Sequence, residues 1–193
     1  MIGTYIAGGI SSAHMNPVIT FVYKYCKNQR KNFTLWRCTV YMLAQLGATF
    51  LAAIVAVGIH YDALELARST GGLTGTGASI SITRGSTDAA NNGTIPFNLG
   101  AALYFVPPTT LRWWQFLLSD MFSAFCLVFF LLALRDENNY APQAHMGGLI
   151  AGLAVSGLGM AFGCNTGGMS NPARDMGSRM GTIVWGFGEH ALT

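Results

Sequence analysis

Hydrophobic positions in this chain come in long unbroken blocks rather than in short alternating runs. Residues 40–59 are apolar apart from Gln45, Thr49 and small side chains. Residues 113–134 open on Trp113-Trp114 and close at Arg135-Asp136-Glu137. Residues 146–162 form a third block, rich in glycine at Gly147, Gly148, Gly152, Gly157 and Gly159. A bilayer needs about 20 apolar residues in a helix, so each block predicts a span. Small residues on such helices let them approach closely in lipid, where no hydrophobic effect drives helix against helix.

Two further segments read as helices too short to cross. One occupies residues 16–25, with Val18 to Tyr23 stopping at Lys24; the other occupies residues 171–183. The first makes about two helical turns, half a membrane. A helix can end at that depth only where it is buried in protein or lines a watery cavity. Met1 to Ile10 reads as the tail of a further span, and residues 60–112 as a long polar connection between the first two full ones.

Both short helices begin the same way. Asn16-Pro17-Val18 follows Gly8-Gly9-Ile10-Ser11-Ser12-Ala13-His14-Met15, and Asn171-Pro172-Ala173-Arg174-Asp175 follows Gly163 to Ser170. Asparagine caps helix N-termini, and proline suits the first helical position because no partner is needed for an N–H there. A single Asn-Pro would be an ordinary capped helix. Two of them, each after a loop of small residues, predict half-helices whose partially positive ends face one another.

Composition supports a lipid setting: 51% of the 193 residues are hydrophobic and 10% charged, at the top of and well below soluble averages. The net charge of +3 is too small to argue for nucleic acid. Lys24, Lys27, Arg30, Lys31 and Arg37 cluster beside apolar segments, as expected of a cytoplasmic loop. Three crossings later, the loop at 163–170 would enter from the opposite side, making an inverted repeat. Asn92-Gly93-Thr94 would then lie outside, where Asn92 is either glycosylated or an unused acceptor. No basic leader marks a cleavable signal peptide. The four cysteines show no C-x-x-C pair, so neither a disulfide framework nor a metal site is expected. No nucleophile–base set appears, so catalytic residues and a cofactor are not expected either.

With these features together, the sequence resembles the aquaporin family over nearly all of its length. The Asp after Asn171-Pro172-Ala173-Arg174 is similar to the glycerol-conducting branch, the aquaglyceroporins. The resemblance implies an all-α membrane protein: an aquaporin-like inverted-repeat helical bundle with two re-entrant half-helices. Residues 1–193 would be a single partial channel domain, incomplete at both ends. It implies a passive channel for glycerol and water, with urea or other small polyols as further candidates, homotetrameric in the plasma membrane. The alternative is a non-conducting truncated relative that associates with complete subunits.

By the same resemblance, Asn16, Pro17, Val18, Asn171, Pro172 and Ala173 make the two pore boxes. Carbonyls of Ser12, Ala13 and His14, and of Gly167, Gly168 and Met169, would line the path. Gly159, Gly168 and Arg174 would form the selectivity filter, where Gly159 matches the small residue of glycerol channels and Gly168 departs from a frequent aromatic. Val18 departs from alanine. Asp120 stands where the family has glutamate and is expected to hold a re-entrant loop, with water filling the shorter reach. An intramembrane carboxylate also admits a proton-relay reading. Asp175 is expected to support the loop; a structural ion pair between Arg174 and Asp175 is the alternative to the filter role of Arg174, and the two roles can coexist. His14 is either a brace for its own loop or a titratable group in the lumen.

Overall fold

The computed structural model describes residues 2–25, 33–69, 79–80, 95–96, 112–136, 138–140, 142, 145–166 and 170–187. Its helices are α1 (Ile2–Ser11), α2 (Pro17–Tyr25), α3 (Leu35–Ile59), α4 (Tyr61–Ser69), α5 (Trp113–Ala133), α6 (Gly147–Thr166) and α7 (Pro172–Val184). A minimal ladder, β1 (Ser79–Ile80) with β2 (Ile95–Pro96), pairs antiparallel with Ser79 opposite Pro96. The chain divides into two units, 1–46 with 107–174 and 47–106 with 175–193.

In the first unit α5 packs on α6, while α2 lies on α5 and α1 on α6. Phe122 of α5 meets Phe162 of α6 edge-on, with ring centroids 5.9 Å apart. The Tyr5 hydroxyl donates to the His145 carbonyl at 3.0 Å and accepts from the Leu149 N–H at 3.1 Å. Its ring lies over Gly148, where a Cβ would come to 3.0 Å of it. An alanine at that position would require the Tyr5 ring to give by a few tenths of an ångström.

In the second unit the later part of α7 presses against the later part of α3. A Cβ at Gly177 would fall 2.0 Å from Thr49 Oγ1, and one at Gly181 would fall 2.5 Å from Ala53 Cβ. The Trp185 indole N–H donates to the Ile54 carbonyl at 3.0 Å, fastening the C-terminal end of the helix. Small residues four apart thus bring two backbones together, as in helix pairs packed in lipid.

Element ends differ from expectation in three places. Helix α3 starts at Leu35, not Val40, because Thr34 caps it: the Arg37 N–H donates to Thr34 Oγ1 at 3.2 Å. Hydropathy detects the apolar block and is blind to that cap. Helix α6 continues to Thr166 through residues expected to be loop, despite the low helix propensity of Gly163. Helix α4 occupies the start of the expected long connection, with Asp62 in its first turn.

Helices α3 and α5 are each long and apolar enough to cross a membrane. Leu43 and Leu51 on α3, and Phe125 and Phe129 on α5, are exposed. Phe125 and Phe129 stack with centroids 5.9 Å apart. Such faces are unfavourable in water and suit hydrocarbon.

Candidate functional site: paired helix starts

The site is built on the N-termini of α2 and α7, both within the first unit up to Arg174. Each asparagine caps its own helix. Asn16 Oδ1 accepts from the Val18 N–H at 2.9 Å, and Asn171 Oδ1 from the Arg174 N–H at 3.3 Å. Proline follows at the first helical position in both.

The two caps are also cross-tied. Asn16 Nδ2 donates to the Ser170 carbonyl at 2.8 Å, and Asn171 Nδ2 donates to the Met15 carbonyl at 2.9 Å. Each amide thus reaches the carbonyl just ahead of the other asparagine. An asparagine amide carries two N–H donors, so one remains on each side chain after the tie. Asn16 is buried, and Ala173 beside the second cap is buried too. Val18 is half-buried in the first turn of α2 and its side chain leaves the cap intact.

The loop before α2 is strained and held from outside. Ser12 and Ala13 have φ of 58° and 50°, a region that costs residues with a Cβ about 1–2 kcal/mol each. Three carbonyls of this loop accept side-chain donors from three separate segments. Ser12 takes the Arg135 Nη2 at 3.1 Å, His14 takes the Gln45 Nε2, and Met15 takes Asn171. Gln45 Nε2 also donates to Thr20 Oγ1 at 2.8 Å, and that hydroxyl donates to the Asn16 carbonyl at 3.1 Å. The His14 imidazole is buried among Tyr23, Phe33 and Tyr41, with centroids 4.4, 5.6 and 5.6 Å away.

On the other side, Asp120 Oδ1 accepts the Ser170 N–H at 3.2 Å. The contact is direct, so the shorter side chain reaches the loop without the water expected to fill the gap. Ser170 has a φ of 26°, and the carboxylate holds it there. A hydrogen bond to a charged group contributes about 1.5–3 kcal/mol. Asp175 accepts from Arg179 Nε at 2.9 Å, one turn on in α7. Arg174 presents an exposed side chain beside its N-capped backbone. A Cβ at Gly159, on α6, would meet no atom within 4 Å. Gly167, Gly168, Met169 and Asn92 lie outside the described residues.

Sequence reasoning missed Gln45, Arg135 and Arg179. Gln45 was visible as a lone polar residue in an apolar block, and Arg179 by its spacing of four from Asp175. Nothing local pointed Arg135 toward Ser12.

Two capped half-helices with reciprocally tied asparagines, among membrane-length apolar helices, define a class of membrane channel proteins. Residues 1–191 match the Major intrinsic protein family, and the chain belongs to it. That family consists of channels and transporters rather than enzymes. The chain is 31% identical over 196 residues to Aquaglyceroporin-4 of Botryotinia fuckeliana, a match covering 100% of this chain and 23% of that protein. It is 26% identical to the Glycerol uptake facilitator protein of Escherichia coli, covering 98% of this chain and 60% of that one. The X-ray structure of the aquaglyceroporin from Plasmodium falciparum superposes with a TM-score of 0.70 at 21% identity, over 100% of this chain and 66% of that chain. The fold is therefore the all-α fold of that channel. The chain spans less than two thirds of the length of each of these relatives.

Proposed function

We propose that the protein serves as a passive channel for glycerol and water. The supporting observation is the reciprocal tie of Asn16 and Asn171 to the carbonyls of Ser170 and Met15. It leaves one amide N–H on each side free to donate to a passing hydroxyl oxygen. Donation from both sides orients a water or polyol and interrupts a continuous proton wire. The positive ends of α2 and α7 add a barrier to cations. The relatives' names, an aquaglyceroporin and a glycerol facilitator, favour this reading over a non-conducting relative.

In this proposal Arg174, Gly159 and Gly168 form the filter. A guanidinium offers forked donors to vicinal hydroxyls, and glycine at 159 leaves room for the polyol carbon chain. The carbonyls of Ser12, Ala13 and His14, and of Gly167, Gly168 and Met169, accept hydroxyl protons along the path. Asp120 and Asp175 stabilise the loop and helix that carry the second box. Small polyols and urea are further candidate permeants, the plasma membrane the proposed location, and a homotetramer the proposed assembly.

The test is stopped-flow glycerol and water permeability of proteoliposomes carrying the full-length protein. Non-saturating, proton-independent glycerol flux that falls at least about tenfold in Asn16→Ala and Asn171→Ala is expected, each change removing a tie and a donor. Saturating or proton-coupled uptake would overturn the channel reading.

A further inference from the structure

Arg135 lies just beyond the end of α5, more than 120 positions from the residue it binds. Its Nη2 donates to the Ser12 carbonyl at 3.1 Å, and its guanidinium carbon stands 5.5 Å from the centre of the Tyr23 ring. Arg135 also lines a small apolar cavity with Val22, Tyr23 and Leu131. The group is thus held at two points, by a carbonyl and an aromatic face, yet remains exposed.

We infer that Arg135 is a specificity-determining residue of the permeation path, supplying a second guanidinium at the end of the loop that leads into α2. The inference rests on the channel reading. A guanidinium has five N–H donors, and its bond to Ser12 uses one. The carbonyls of Ser12 and His14 are engaged by side chains, whereas among the described residues none donates to the Ala13 carbonyl. This end of the loop therefore offers acceptor and donors together. A hydroxyl, which both donates and accepts, finds both. A cation needs acceptors alone and meets a fixed positive charge instead. The stacking on Tyr23 keeps the charge in place rather than letting it sweep through solvent.

The experiment compares the full-length parent with Arg135→Gln and Arg135→Lys in proteoliposomes. Its readouts are glycerol permeability, water permeability and potassium conductance. For Arg135→Gln the expected result is a glycerol-to-water ratio lowered about threefold or more, roughly the worth of one hydrogen bond, together with raised potassium conductance. Arg135→Lys keeps the charge and loses the fork, so it should keep potassium out while lowering the ratio. A purely structural latch would lower all fluxes together and leave the ratio and the potassium exclusion unchanged; that result overturns the inference. So does an equal potassium leak in both variants. If Arg135→Gln does not assemble, an unchanged ratio in Arg135→Lys overturns it alone. A parent that moves no glycerol overturns the channel reading and this one together, whereas a conducting parent with indifferent variants overturns only this one.

Discussion

Replacing Gly181 by alanine adds one methyl group where α7 passes close to α3. The new Cβ would stand 2.5 Å from Ala53 Cβ, 3.1 Å from the Phe50 carbonyl oxygen and 3.3 Å from the Ile54 nitrogen. None of these is the tip of a flexible side chain, so relief requires one helix to move. Overpacking of this kind costs about 1–3 kcal/mol, and backbone neighbours put the site at the upper end. Alanine returns up to about 1 kcal/mol of helix propensity. Overpacking wins, by about 2 kcal/mol, or roughly a thirtyfold fall in the ratio of folded to unfolded protein. The measurement is the denaturation midpoint of the detergent-solubilised protein. Ala53→Gly removes the nearest contact, so the double variant should recover stability beyond the sum of the two single changes. Gly159→Ala is the control, since its Cβ would meet nothing within 4 Å and only the propensity gain applies. A Gly181→Ala protein as stable as its parent, or a cycle without coupling to Ala53, would refute the reasoning.

Other consequences can be checked on the same preparations. Ala13→Gly should raise stability by about 0.5–1 kcal/mol, because glycine accepts the φ of 50° without a Cβ penalty; a lowered midpoint would contradict the strain assigned there. Asp120→Ala leaves the Ser170 N–H without its acceptor and should cost about 1–3 kcal/mol, while Asp120→Glu should retain most of the stability. Equal losses in both would mean that packing, not the hydrogen bond, matters at that position. Arg174→Ala should admit larger or charged solutes while preserving water flux, read by conductance and polyol swelling; unchanged selectivity would remove Arg174 from the filter.

Much of this molecule can be read from local chemistry. Unbroken apolar blocks mark α3, α5 and α6, because a helix in lipid must satisfy its backbone internally and present apolar side chains outward. Asn16-Pro17 and Asn171-Pro172 mark the starts of α2 and α7 because capping acts within one helical turn. Even Asp120 announced a role, since a carboxylate in an apolar span needs a donor. What tertiary structure alone decided is who meets whom. The ties from Asn16 to Ser170 and from Asn171 to Met15 end on backbone carbonyls, which every residue has and no sequence pattern distinguishes. The same holds for Gln45 on His14 and Arg135 on Ser12. Gly177 and Gly181 are two glycines among 24 by sequence, and only the crossing of two helices leaves them no room to grow. Local sequence specifies the helices and their caps through short-range bonds, whereas the partners of a re-entrant loop depend on chain segments that sequence distance keeps apart and folding brings together.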